Sequence, residues 1–369
     1  MRKEIGSEFD VSINILLKDS QKYTSFYNYN LFIEEPKDIV YLSNGRTAIK
    51  FVLSHILKRQ EIRKCWLPGY LCETMIQPFK ELKLDYEFYN IKEGLELDTK
   101  YLSNRVKKRD LIFLTYYFGF PQSDEVLDFL YEIKSLNIVI LEDITQSFLT
   151  DDIRIKRIGN YSIISIRKWF GIPEGGIAIS FNDLFDKDLL RKEPFYEFVY
   201  LRLMAALLKN LYLNEIIQEK DYFRQMFKRA EELANSNIGL NIMSELSIKI
   251  LNSIDFKVLI NKRRENFLFL LSNINDLNKI TPLYKELKEG VCPLGFPIVV
   301  PQRDLLRAFL TSNSIFCPIH WIIPSEIPSD FSYAHYLSQN ILTIPCDQRY
   351  STNDMEIIVN KVKRFSLGG

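Results

Sequence analysis

Short apolar runs alternate with amphipathic stretches through the first half of the chain. Ile39–Leu42 reads as a strand, Ser43-Asn44-Gly45 as a turn, and Ile49, Val52, Leu53 and Ile56 fall at helical spacing within Thr47–Lys58. Cys65–Leu67 is a strand stopped by Pro68-Gly69, followed by a helix over Glu73–Leu82 and a strand at Tyr86–Tyr89. Leu111–Thr115 and Ile138–Leu141 are strands on either side of a helix over Ser123–Leu136, and Tyr161–Ser165 and Ile177–Ser180 close the series. Strands apolar throughout, alternating with helices, predict a largely parallel sheet covered on both faces. From about 185 to 275 the pattern is helical. The remainder mixes strands (Phe296–Val300, Ile341–Ile344) with helices over 304–312 and 353–365, as a small α+β domain would. The expected division is a large domain over 1–250, with a mixed, aromatic-rich arm over about 1–38, and a small C-terminal domain over 251–369. There are no repeats and no low-complexity segment.

A chain of 369 residues suits this two-domain reading. The 48 basic and 47 acidic residues nearly cancel and form no basic stripe, which argues against nucleic acid as a partner. The longest apolar stretch, Phe198–Leu213, is interrupted by Arg202 and Lys209 and falls short of the roughly 20 residues of a membrane span. It reads as a buried or subunit-facing helix, and no membrane partner is expected. Cys65, Cys72, Cys292, Cys317 and Cys346 are scattered, no C-x-x-C pair occurs, and there are only three histidines. That pattern predicts reduced thiols in a cytoplasmic protein and no metal site. The start, MRKEIGSEFD, carries no apolar core of a signal peptide.

Ligands of parallel sheets bind beyond the carboxyl ends of the strands, which singles out three places. Leu42-Ser43-Asn44-Gly45-Arg46-Thr47 is strand, glycine turn and helix start. Such a turn is a phosphate seat or a plain helix cap, with Gly45 allowing close backbone approach and Thr47 adding a hydroxyl. Glu142-Asp143 ends a buried strand, with Gln146 and Ser147 beyond it. A carboxylate there needs a positive partner: a metal, a ribose hydroxyl, a pyridinium nitrogen or a structural arginine. Ser165-Ile166-Arg167-Lys168 precedes Gly175-Gly176. A lysine so placed is a solvated side chain or, if desolvated, a nucleophile toward carbonyls.

Phosphate seat, carboxylate, and a lysine about 25 residues later are together what pyridoxal 5'-phosphate (PLP) requires, in sequence order. PLP carries a phosphate, a pyridine nitrogen kept protonated to act as electron sink, and an aldehyde for a lysine.

Here the chain resembles the DegT/DnrJ-type nucleotide-sugar aminotransferases, PLP enzymes of fold type I, from about residue 40 to the C-terminus. The family's phosphate turn is similar to Ser43–Ile49, its P-x-Y/F-x-C/F segment to Pro68–Cys72, and its E-D-x-x-Q motif to Glu142–Gln146. Its S-x-x-K and G-G motif resembles Ser165–Gly176, and its C-terminal segments resemble Cys317–Trp321 and Leu342–Tyr350. The resemblance implies an α/β protein with a mostly parallel large-domain sheet and a smaller α+β domain. It implies that Lys168 carries the cofactor covalently and shuttles a proton, that Asp143 holds the pyridinium charge, and that Gln146 contacts the ring oxygen. Ser165, Gly45 and the amides of Arg46 and Thr47 would bind phosphate, and Tyr70 or Cys72 would lie against the ring. Related dehydratases replace the lysine by histidine, so Lys168 implies transamination. Where many relatives place an asparagine that reaches the partner subunit's phosphate, an ungapped match puts Leu240, beside Asn241.

The activity so implied moves an amino group from an amino-acid donor, glutamate first among them, to a nucleotide-linked keto-sugar in polysaccharide or glycoconjugate synthesis, by a homodimer. His320 and Trp321 would touch sugar or nucleotide or pack a turn. Arg349 would pair a diphosphate or donor carboxylate, or serve structure. The alternatives are a PLP enzyme acting on a different keto substrate and a non-catalytic homologue that binds PLP or nucleotide-sugar.

Overall fold

The computed structural model describes residues 4–17, 35–152, 154, 155, 158–236, 239–275, 277 and 279–368. Of the expected arm over 1–38, residues 1–3 and 18–34 therefore lie outside the described residues. Packing divides the chain into two compact units, each discontinuous in sequence. The first takes residues from Glu8–Glu61 and Asn160–Asp255, the second from Lys3–Ser7, Ile62–Gly159 and Phe256–Gly369.

In the first unit the strands Asp38–Leu42, Gly176–Ser180 and Tyr161–Ser165 lie side by side in that order. Gly176–Ser180 runs antiparallel to both neighbours, with Gly176 opposite Leu42 on one side and Ser165 on the other. Gly45–Arg59 forms the first long helix, burying Ala48, Ile49, Phe51, Val52, Leu53 and Ile56 on one side. Lys58 and Arg59 occupy its last turn, where cations favour the negative end of the helix dipole. The helices Tyr196–Leu213 and Asp221–Ser236 pack on one another through Leu203, Ala205, Ala206, Phe223 and Phe227, joined by Val11. In the second of these helices Phe223, Phe227, Ala230 and Ala234 are buried, a spacing of three and four that lines one face.

In the second unit the strands Val139–Asp143, Asp110–Thr115, Lys64–Pro68 and Tyr86–Tyr89 run parallel. Every residue of Asp110–Thr115 is buried, which a strand covered on both faces requires. The helices Glu73–Glu81 and Asp124–Lys134 supply cover through Met75, Ile76 and Phe79 and through Val126, Leu127, Leu130 and Ile133. A three-stranded antiparallel sheet (Thr281–Pro282, Phe296–Val299, Ile341–Ile344) packs a separate core with the helices Phe256–Ile274, Arg303–Ser312 and Thr352–Gly368. Phe267, Leu270, Phe296, Ile298, Leu342 and Ile344 are at its centre.

Each strand and long helix read from periodicity is present, with ends that differ by at most three residues. The antiparallel course of Gly176–Ser180 is the feature that periodicity did not show, since an apolar run looks the same in either direction. Among the described residues no helix is long and apolar enough to cross a membrane. Arg202 and Lys209, which break the apolar run of Tyr196–Leu213, are buried and paired: Arg202 with Glu8 and Glu231, Lys209 with the Glu8 carbonyl.

Phe113 sits mid-strand without solvent exposure, its ring edge-on to Phe79 at 5.6 Å. Phe113→Ala should cost about 3–5 kcal/mol, the usual range for emptying an aromatic core site. Thermal unfolding followed by circular dichroism is expected to show a clear fall in Tm; an unchanged Tm would contradict the packing described.

Candidate functional site

In the first unit three chain segments converge behind the strand ends. Gly175 N–H donates to the Ser43 carbonyl at 2.8 Å, Ile166 N–H to the Gly175 carbonyl at 3.1 Å, and Ser43 N–H to the Asn241 carbonyl at 3.1 Å. A side chain on Gly176 would run into the Asn44 backbone, and one on Gly175, at φ +152°, into Ile166. The Gly-Gly pair is thus the passage through which the Gly176–Ser180 strand enters between its neighbours. Gly45 is equally confined, because a Cβ there would lie 2.8 Å from Ser165 Cβ. The structure therefore brings the Gly45 turn and Ser165 into contact, as two parts of one anion seat would be.

Asn44 holds that turn. Its side-chain oxygen accepts from Thr47 N–H at 2.9 Å and lies 3.2 Å from the Thr47 hydroxyl, which in turn is 3.1 Å from Ser43 Oγ. The helix-cap alternative is realised here, and Thr47 spends its amide on the cap. Gly45, nearer the helix start, has no intrahelical acceptor for its own amide. Arg46 reaches Asn235 at 3.0 Å. Asn44 was passed over in the sequence, although an asparagine just ahead of an apolar-periodic stretch is a standard helix-start signal.

Lys168 ends a 3₁₀ turn, Ile166–Lys168, which follows directly on the Tyr161–Ser165 strand, and its side chain is half-buried. Arg167 beside it pairs with Glu231 at 2.8 Å. Burial raises the Glu231 carboxyl, but the Arg167 and Arg202 guanidiniums outweigh it and hold it below its ordinary value. Asn241 donates to the Glu193 carbonyl at 2.9 Å.

Glu174 was not singled out from sequence, where a lone glutamate in a loop carries no signal. It is fully buried, with Oε1 accepting from Ser244 N–H at 2.6 Å and Oε2 without a partner. Burial pushes its carboxyl up to about 7, against smaller opposing effects from Ser244, Ser247 and Arg167.

In the second unit Thr115 and Asp143 are in register at the ends of adjacent parallel strands, so their side chains share a face. Asp143 is buried and its Oδ1 accepts from Thr145 N–H at 2.9 Å. Glu142, on the opposite face, accepts from the Tyr116 hydroxyl at 2.7 Å. That bond answers part of the cost of burying Glu142. Gln146 Oε1 accepts from Phe118 N–H at 2.6 Å, holding a residue whose φ of +55° is strained for an aromatic side chain. Gln146 Nε2 and Thr115 Oγ1 are buried with no hydrogen-bond partner. A buried donor left unspent costs on the order of 1–3 kcal/mol, so such groups leave capacity for a water or a ligand.

Tyr70 is fully buried, its hydroxyl donating to the His320 carbonyl at 2.5 Å and accepting from Trp321 N–H at 2.9 Å. Tyr70, Tyr117 and Trp321 form a triangle with ring centroids 5.8–5.9 Å apart, and Tyr117 donates to the Tyr70 carbonyl at 2.6 Å. His320 Nδ1 is 2.9 Å from the Thr343 hydroxyl. Cys72 caps the Glu73–Glu81 helix, 3.1 Å from the Thr74 hydroxyl. Arg349 makes a two-point contact with Asp347 at 2.8 and 2.9 Å. Burial raises the Asp347 carboxyl, but Arg349 and Arg263 prevail and lower it.

Neither protein-family models nor curated proteins match the sequence. Solved structures do. Helicobacter pylori PseC, an aminotransferase of pseudoaminic acid biosynthesis, superposes with a TM-score of 0.69 at 16% identity over 98% of both chains. Streptococcus pneumoniae Spr1654 in its PLP form gives 0.68 at 13% identity, again over 98% of both. DesI, solved with its TDP-sugar product, gives 0.64 at 15% identity over 90% of this chain and 82% of its own. The chain has their fold, and the expectation of a fold-type I α/β architecture is met.

Glu174 carries a pH signature. Its folded value of about 7 lies above the ordinary 4.5, so between the two the folded state keeps a proton that the unfolded chain releases. Stability from this group is complete below about 4.5 and declines as pH rises to about 7, by roughly 3 kcal/mol in all. Glu174→Gln, which mimics the protonated carboxyl, should raise Tm relative to the parent more at pH 8 than at pH 5. An equal difference at both pH values would rule this out.

Proposed function

We propose that the chain is a PLP-dependent aminotransferase moving an amino group from an amino-acid donor, with glutamate as first choice, to a nucleotide-linked keto-sugar. It would act as a cytoplasmic homodimer supplying aminated sugars for polysaccharide or glycoconjugate synthesis. The observation that carries this reading is the buried, unspent Gln146 amide one turn beyond the buried Asp143 carboxylate. Lys168 on its strand-end turn and the Gly45–Ser165 contact agree with it. Each unit carries residues that the cofactor would need: the first a candidate anion seat and a lysine, the second a carboxylate and a spare donor.

When bound, PLP supplies an aldehyde for amine exchange and a ring that accepts the electrons of the broken bond. Lys168 Nζ would hold the cofactor and would serve as the base that moves the donor Cα proton. Asp143 would keep the ring nitrogen protonated, and Gln146 Nε2 would be the donor for the ring oxygen. Gly45, Ser165 and the Arg46 amide would hold the phosphate, the Thr47 amide joining them only on release from Asn44, and Tyr70 or Cys72 would lie against the ring. His320, Trp321 and Arg349 are assigned to the sugar nucleotide and donor. Support for the acceptor class comes from DesI, whose structure holds a TDP-sugar product, and from PseC.

One observation favours a second reading, a non-catalytic relative: Asn44 occupies the Thr47 amide that a phosphate would use. The two readings part in an absorbance spectrum of the purified protein with PLP, before and after adding glutamate. A visible band that gives way to a near-ultraviolet one marks the aminotransferase. A visible band that glutamate leaves unmoved marks a non-catalytic binder of PLP, and no band at all sinks the aminotransferase reading and leaves a relative that binds nucleotide-sugar without PLP. Lys168→Ala is expected to abolish covalent attachment, measured as borohydride-trapped mass. Asp143→Ala should cut turnover by roughly 100-fold or more; near-parental rates would remove Asp143 from its role.

A further inference from the structure

We propose that Glu231 is a positioning residue for Lys168, acting through Arg167; the inference rests on the role given to Lys168 above. Arg167 is the middle residue of the 3₁₀ turn that Lys168 ends. Its Nη1 lies 2.8 Å from Glu231 Oε1, and Arg202 Nη1 lies 2.8 Å from the same oxygen. Arg202 Nη2 continues to Glu8 Oε2 at 2.9 Å. Cation, anion, cation and anion thus alternate along four side chains drawn from the turn, two helices and the segment near the start of the chain.

The arrangement is layered. The guanidinium of Arg167 lies over the Phe198 ring and that of Arg202 over Phe227. The Arg202 side chain is only 7% exposed, whereas Glu231 and Glu8 are 41% and 47% exposed, so the carboxylates form a lid over cations that water reaches poorly. Nε of both arginines is buried without a partner, which leaves each guanidinium reliant on its carboxylates. Among the described residues Glu231 is the one carboxylate that Arg167 pairs with, while Arg202 has Glu8 as well.

This asymmetry decides what each loss does. Without the Glu231 charge, two guanidiniums less than two hydrogen-bond lengths apart repel across a poorly solvated gap, and Arg167 is the one with no second anion to retain it. The turn beneath it is short, closed by Trp169 N–H to the Ile166 carbonyl at 3.0 Å and Ile166 N–H to the Gly175 carbonyl at 3.1 Å. It yields when Arg167 moves, and Lys168 moves with it. Without Arg202, by contrast, the Arg167–Glu231 pair remains and the turn keeps its place.

The test compares Glu231→Gln with Arg202→Met in the full-length protein. Hydrogen exchange on cofactor-free protein should show the 165–170 backbone exchanging about ten times faster in Glu231→Gln and unchanged in Arg202→Met, even where the latter lowers Tm. With PLP added, borohydride should still trap the cofactor on Lys168 in both variants. The circular dichroism of the cofactor band, per trapped cofactor, should fall at least about two-fold in Glu231→Gln only. kcat should fall about ten-fold in the same variant, with the donor KM within about two-fold of the parent. Parental exchange and dichroism in Glu231→Gln would overturn the proposal. So would equal losses in both variants, which would make the network a fold-wide support. If the parent protein traps no cofactor on Lys168, the reading of Lys168 itself fails and this one falls with it, a result that exchange data alone would not produce. Should Glu231→Gln not fold, Arg167→Gln breaks the same pair without leaving two guanidiniums to repel each other. It is expected to loosen the turn, and a parental exchange pattern in it would overturn the proposal.

Discussion

The close passage of Gly175 and Gly176 behind Ser43 and Asn44 is the constraint on which the first unit's chemistry depends. It admits no side chain at either position, and it lets one antiparallel strand sit between two others. The Gly45 turn and the turn bearing Lys168 thereby end at the same edge. A β-carbon at Gly176 would push the strand off Asn44, and the Ser43–Gly175 hydrogen bond would go with it. The loop that makes this passage also buries Glu174, whose carboxyl has one oxygen anchored to Ser244 and one with nothing to accept from.

The second unit solves a different problem, that of ending apolar parallel strands with polar groups. Two neighbouring carboxylates there have opposite fates because successive residues of a strand face opposite sides. Glu142 turns to Tyr116 and becomes part of the packing, its oxygen also excluding any side chain at Gly159. Asp143 turns to the face that carries Thr115 and lies one turn before Gln146, where polar capacity remains unspent. The strained Phe118 turn is held by the other end of the same Gln146 amide, so one side chain both shapes the loop and offers the spare donor. Arg349, by comparison, is already engaged by Asp347 and would have to share or exchange that partner to meet an anion.

Much of the candidate site was legible because its residues lie just past strand ends, and strand ends are read from apolar runs. Ser165, Lys168, Asp143 and Gln146 were all reachable that way. Asn44, just ahead of an apolar-periodic stretch, was visible as a helix-start residue, whereas the partner of Arg167 was not readable. It is Glu231, 64 residues further on. No local pattern encodes such a partner, because a surface-facing glutamate on a helix looks like any solvated charge. The same holds for Glu174, whose shifted carboxyl is a product of burial, and burial of a loop glutamate is set by what packs over it.

The sequence by itself determined the alternation of strands and helices, the glycines at close passages and the order of glycine turn, carboxylate and lysine. Those follow from periodicity and residue chemistry, which act over a few neighbours. Only the tertiary structure decided the direction of the Gly176–Ser180 strand and which of two adjacent carboxylates is consumed by packing. It also decided that one glutamate oxygen is shared by two arginines. These depend on side chains distant in sequence competing for the same buried space, and that competition is resolved only when the chain has folded.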